Sequence, residues 1–167
     1  MRPAGRLDQT GYTLLEVLIA LLVFSIGLLG LAAMLVSAVK GNHQAYHHSQ
    51  AVYVAEAMAD GMRANLEAVN ANNYNTGGYI TTYAGGACTT CNASQLAARD
   101  LSAWARMANQ KLPNGAIRIA CVSTRPATFA AAGYNGICTL NLRWDATGDV
   151  GQSQASSQQT FTWMLQP

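Results

Sequence analysis

Residues 11–20 read GYTLLEVLIA and open the one long apolar run in the chain. From Val17 to Val39 no residue is charged, which exceeds the roughly 20 apolar residues a helix needs to cross a bilayer. Glu16 stands at the mouth of this run. A carboxylate there is costly unless it is shallow or paired; at the bilayer centre a charge costs up to roughly 3 kcal/mol. Arg2 and Arg6 precede the run and Lys40 is the nearest cation after it, so the charge balance predicts a cytoplasmic N-terminus. Everything beyond Lys40, all four cysteines included, is then expected in a compartment that permits disulfides. An ordinary secretory signal fits poorly. Val36-Ser37-Ala38 faintly resembles a cleavage site, but h-regions run about 7 to 15 residues, and this run is longer and carries an acid at its start.

The chain has 167 residues, is half apolar, and carries only 11% charged residues with a net charge of +2. That balance, without a basic run, argues against nucleic acid as a partner. Outside the apolar run there is room for one modest domain. No proline interrupts residues 12–70. Ala51, Ala55, Met58, Met62, Leu66 and Val69 recur at spacings of three and four, so they line one helical face. Glu56, Asp60, Arg63 and Glu67 share the opposite face, at spacings that suit Asp60–Arg63 and Arg63–Glu67 pairs. The pattern predicts one helix from about Thr13 to Val69, roughly 85 Å long at 1.5 Å per residue. Gly27, Gly30, Gly41 and Gly61 are weak points in it, each costing about 1 kcal/mol relative to alanine, although Gly27, Gly30 and Ala33 also allow close helix approach in a membrane.

Residues 70–93, rich in Asn, Gly, Thr and Tyr, read as a long ordered loop. A second helix is expected next, with Asn92 or Ser94 as N-cap, an apolar stripe of Ala97, Leu101, Trp104, Ala108 and Leu112, and an end at LPNG. Three alternating segments follow. AIRIACV (116–122) places Ile117, Ile119 and Cys121 on one face; ICTLNLRW (137–144) does so for Cys138, Leu140, Leu142 and Trp144; QTFTWML (159–165) for Phe161, Trp163 and Leu165. Such alternation predicts an antiparallel sheet whose apolar face covers the amphipathic half of the first helix. The fold class is α+β.

Cys121 and Cys138 fall on the inward faces of neighbouring strands, where a bridge is geometrically plausible, and Cys88-Thr89-Thr90-Cys91 is read as a local disulfide. The C-x-x-C spacing also suits redox or metal chemistry, but it lacks a βαβ setting and two further ligands. His43 and His47 are one helical turn apart, yet no glutamate or third ligand accompanies them, so they are read as polar residues near the headgroups. Asn92-Ala93-Ser94 matches a glycosylation sequon, though helix capping accounts for both polar residues. No catalytic, metal or cofactor constellation is present in the sequence, and the chain is not expected to be an enzyme.

The N-terminal combination is more specific. A short basic leader ends at Gly11 and is followed by an aromatic residue, a threonine, two leucines, a glutamate and a long apolar helix. This resembles the leader of type IV pilins and the related pseudopilins. Within them, SIGLLGLA (25–32), QAVYVAEAMADGMRANLEAVNANNY, the Cys-x-x-Cys followed by SQLAARDLSAWARMANQKLPNG, and the cysteine-bearing strand ending in RW are similar to the PilV group of minor pilins. The proline found in the first helix of many major pilins is missing; Ala33 lies in that region.

The resemblance implies a pilin-like fold with a leader over residues 1–11, a membrane and filament-core helix over 12–40, and a periplasmic domain over 41–167. It implies cleavage by prepilin peptidase between Gly11 and Tyr12 and N-methylation of Tyr12. Glu16 would pair with the terminal amine of its own or a neighbouring chain and set subunit register. Other minor pilins, the major pilin and a tip adhesin would be the partners, with the inner membrane holding the chain before it enters the pilus. Rival readings are a type II secretion pseudopilin, a membrane-anchored thiol–disulfide protein using Cys88 and Cys91, and a plain bitopic binding module.

Overall fold

The computed structural model describes residues 11–123, 134–146 and 158–167. The basic leader with Arg2 and Arg6, and most of the loops at 123–136 and 145–158, lie outside the described residues. Six elements follow one another: α1 (Leu14–Ala64), α2 (Leu66–Asn70), α3 (Ala93–Lys111), β1 (Ala116–Val122), β2 (Ile137–Asp145) and β3 (Gln158–Leu165). The strands form one antiparallel sheet in the order β1-β2-β3. A long N-terminal helix followed by a small antiparallel sheet is the α+β, pilin-like arrangement expected above.

The chain divides into two compact units after Gly41. In the first, every described side chain from Gly11 to Gly41 is exposed. In the second, α1 buries Ala51, Val54, Ala55, Met58, Ala59 and Met62 in the same core as α3 and the sheet. Val54 and Ala59 widen the stripe read from the sequence. The small residues Ala51, Ala55 and Ala59 let neighbouring elements come close, while Met58 and Met62 fill the space between them.

The long helix does not run unbroken to Val69. It stops at Ala64, and Asn65 caps α2 with its side-chain oxygen accepting from Ala68 N–H at 3.4 Å. Asparagine favours such a break because its amide competes for local backbone groups. The break also explains a second departure. Arg63 pairs with Asp60 at 3.1 Å, and no Arg63–Glu67 pair forms among the described residues, because Asn65 interrupts the helical spacing that pair requires.

Asn65 is the one buried polar or charged residue among those described. Its Nδ2 donates to Tyr74 OH at 3.2 Å and to Ala93 O at 2.9 Å. Tyr74 OH in turn donates to Asp100 Oδ2 at 2.9 Å, and its ring stacks on Trp104 with centroids 5.4 Å apart. Gly61 sits against the Trp104 ring, where a Cβ would lie 2.5 Å from Trp104 Cζ2. This glycine is a site of close approach rather than a weak point.

α3 begins with a full capping box between Asn92 and Gln95, which settles the choice between Asn92 and Ser94 as the cap. The 70–93 segment is tied along β1. Ile80 exchanges two backbone hydrogen bonds with Ile117 (2.8 and 3.0 Å). Thr76 N–H donates to Ile119 O, and Ile119 N–H donates to Thr76 Oγ1, both at 3.1 Å. Asn75 completes the row: its Oδ1 accepts from Cys121 N–H at 2.7 Å and its Nδ2 donates to Cys121 O at 3.3 Å.

Burial pushes the Tyr74 phenol well above its ordinary value of 10.0, and the Asp100 carboxylate adds to this, while the Asn65 hydrogen bond opposes it. An unfolded tyrosine ionises near 10, so above that pH the unfolded chain releases a proton that folded Tyr74 retains, and stability falls as pH rises. Urea unfolding of the full chain in detergent should show this alkaline loss. Tyr74→Phe should lower stability at pH 7 by about 1–2 kcal/mol, because Asn65 and Asp100 lose a buried partner. It should also flatten the slope above pH 10, leaving the smaller part due to Tyr134, whose phenol burial likewise pushes up.

Candidate functional site

The N-terminal segment places its chemistry where non-helical backbone meets the helix. Gly11, Tyr12 and Thr13 are non-helical, and α1 begins at Leu14. Thr13 occupies the position of a cap: its Oγ1 accepts from Glu16 N–H at 3.3 Å, and its carbonyl accepts from Glu16 N–H at 3.1 Å and Val17 N–H at 3.3 Å. Thr13-x-x-Glu16 has the spacing of a capping box, a signal in the sequence that the membrane reading passed over. The Gly11–Tyr12 bond therefore lies two residues ahead of the helix, and Tyr12 is 83% exposed. Such a bond is open to a protease, whereas a helical backbone keeps its peptide groups bonded internally.

No feature of the chain itself demands glycine at position 11. A Cβ there would meet nothing within 4 Å, and the residue has no positive φ. The same openness holds at Gly27 and Gly30. Glu16 makes no ion pair among the described residues. Leu14, Leu15, Phe24, Leu29, Met34 and Leu35 are all more than 60% exposed, so α1 is apolar on every side over this half. A helix of that kind belongs in a membrane or inside a larger assembly, and it is long and apolar enough to cross a bilayer. Ser25 does not disturb this, because its hydroxyl donates to Leu21 O at 2.7 Å within the helix.

The cysteines form two bridges, Cys88–Cys91 and Cys121–Cys138, and none is free. Cys121 and Cys138 are register partners across β1 and β2, with Cα atoms 4.0 Å apart. Cys88–Cys91 lies in the loop before α3, with Cα atoms 5.5 Å apart. The hollow beside it is lined by Ala87, Cys88, Thr89, Thr90 and Gln95. The residues lining it are uncharged. His48 packs edge-on against Phe161 at 5.3 Å, and Tyr46 contacts the His47 ring at 5.6 Å. No group of three or more metal-ligating side chains occurs among the described residues.

Comparison with known proteins meets this geometry at one place. Residues 6–32 match the family described as the prokaryotic N-terminal methylation motif. The motif is that of a type IV prepilin-like leader, the substrate of prepilin peptidase; it supports the type IV pilin superfamily and fits anchoring in the inner membrane. No curated protein and no solved structure matches the chain.

The two bridges should differ in what they contribute. Cys121–Cys138 closes a loop with a sequence separation of 17 and Cys88–Cys91 one of 3. In the chain-entropy account these are worth about 3 and about 2 kcal/mol respectively. Chemical denaturation of the two double-serine variants in detergent should therefore show the larger loss for Cys121→Ser/Cys138→Ser.

Proposed function

We propose that this chain is a minor pilin of the type IV pilus, of the PilV kind, and a structural subunit rather than an enzyme. Prepilin peptidase cuts between Gly11 and Tyr12 and methylates the new terminus. The inner membrane then holds residues 12–40 and presents residues 41–167 to the periplasm. From there the subunit joins other minor pilins, the major pilin and a tip adhesin in a complex that primes the filament, supporting twitching motility and adhesion.

One observation carries this reading: a non-helical Gly11–Tyr12 bond, with Tyr12 exposed, stands just before an apolar stretch of helix whose lone acid, Glu16, has no ion-pair partner among the described residues. Cleavage supplies the missing charge. The amine created on Tyr12 has an ordinary pKa of about 7.7–8.0, so it is largely cationic at neutral pH. It lies four residues from Glu16. Between packed apolar helices the attraction of amine and carboxylate exceeds its value in water, although desolvation offsets part of it. Pairing between neighbouring chains would then fix their axial register.

Three measurements test this. The intact mass of the chain from cells containing prepilin peptidase should lack Met1 to Gly11 and carry one added methyl group on Tyr12. Cells without the peptidase should yield the uncut chain, and an uncut N-terminus in both would remove the basis of the reading. Glu16→Ala should still be cleaved but should enter sheared pili at least tenfold less than the parent. Deletion of the chain should abolish or reduce piliation while leaving enzyme secretion intact; the opposite result would make it a secretion pseudopilin.

A further inference from the structure

The two edges of the sheet are treated in opposite ways. On β1, the outward N–H and C=O groups of Ile117, Ile119 and Cys121 are all taken by Ile80, Thr76 and Asn75. On β3, no hydrogen bond from a described residue reaches the backbone on the side away from β2. An eight-residue edge is long for an uncovered one, and proteins usually guard such edges with lysine, proline, a bulge or a short strand. QQTFTWML contains no charge, no proline and no glycine.

The apolar layer behind the sheet is unfinished on the same side. The inward residues Ile117, Ile119 and Cys121 of β1 are buried, as are Cys138, Leu140, Leu142 and Trp144 of β2. On β3 only Leu165 is buried, while Phe161 and Trp163 remain half-buried. One more strand beside β3 would satisfy its bare backbone groups and cover these two rings together.

We infer that β3 is a strand-addition site, at which an extended segment of a different pilin subunit extends this sheet by main-chain pairing. The partnership with a pilin subunit rests on the function proposed above. The edge specifies the occupant's chemistry. The segment is uncharged, since β3 offers no charge to pair with. It carries apolar side chains where it passes Phe161 and Trp163, and small polar side chains beside Thr160 and Thr162 on the outer face. Main-chain bonds supply affinity in such pairing and alternate side chains supply selectivity.

Amide hydrogen exchange on the full chain in detergent micelles tests the inference, with an uncharged, end-blocked eight-residue peptide of alternating valine and threonine as the probe. In the chain alone, alternate amides between Gln159 and Leu165 should exchange quickly, while those of Ile117, Ile119 and Cys121 stay protected. Adding the peptide should slow the β3 amides at least tenfold and leave β1 unchanged. Met164→Lys, on the exposed outer face, should remove most of that slowing without altering β1 protection. Three results would overturn the inference: β3 amides already protected in the lone chain, no response to the peptide, or dimerisation of the chain through β3. In purified pili containing the chain, the same amides should be protected. If they still exchange quickly there, strand addition fails and the pilin reading stands. A chain that never enters pili, yet whose β3 responds to the peptide, removes the pilin reading and leaves strand addition in place.

Discussion

Asn65 holds three separate segments with one amide. Its oxygen starts α2, and its nitrogen reaches both the Tyr74 hydroxyl and the Ala93 carbonyl just inside α3. Tyr74 passes the connection on to Asp100, and its ring lies on Trp104, which presses on Gly61 of α1. The end of the long helix, the start of the loop and the body of α3 are thereby fixed by a single buried chain of hydrogen bonds. An unpaired amide or phenol at this depth would cost the full desolvation of its polar atoms. Each member therefore depends on the others, and the cluster acts as one unit.

From that joint the loop can be laid along β1 in a fixed register. Asn72 adopts a positive φ of 59° just before Tyr74, turning the chain toward the sheet. Asn75 then presents its side-chain amide to Cys121 as a peptide group would, with one donor and one acceptor. The loop thus serves as a surrogate fourth strand made partly of side chains. It covers the edge next to the Cys121–Cys138 bridge, so the covalent tie and the hydrogen-bonded seam secure the same strand. Among the described residues, the opposite edge receives neither.

How much of this the sequence discloses depends on the range of the interactions involved. The strands, their inward faces, the apolar stripe of α3 and the division of α1 into an apolar and an amphipathic half follow from period-2 and period-3.6 patterns, which are local. The break at Asn65 does not. Its polar partners lie 9 and 28 residues away, and Leu66 and Val69 continue the helical pattern beyond it, so periodicity carries the reading straight through. Gly61 is similar: its spacing marks a weak helix position, and only Trp104, brought in by α3, gives it a packing role. The seam along β1 is invisible to composition, since asparagine and threonine in a loop read the same whether or not they bind a strand. At the N-terminus the reverse holds, because Gly11, Tyr12 and Glu16 are legible as a motif while, among the described residues, Tyr12 is exposed and Glu16 makes no ion pair.

That contrast separates two kinds of glycine in one helix. Gly61 is fixed by the chain's interior, since a Cβ there has no room. At Gly27 and Gly30 a Cβ would meet open space, and each forgoes about 1 kcal/mol of helix propensity relative to alanine with no return inside this chain. The exposed leucines around them and Glu16 present the same problem: apolar surface and a charge that find no partner among the described residues. Lipid can cover the leucines, but it gains nothing from the missing side chains at Gly27 and Gly30. Small residues such as Gly27 and Gly30 permit the backbone of a neighbouring helix to approach closely. The N-terminal half of α1 therefore has no packing partner among the described residues, whereas its C-terminal half is justified by the core it buries.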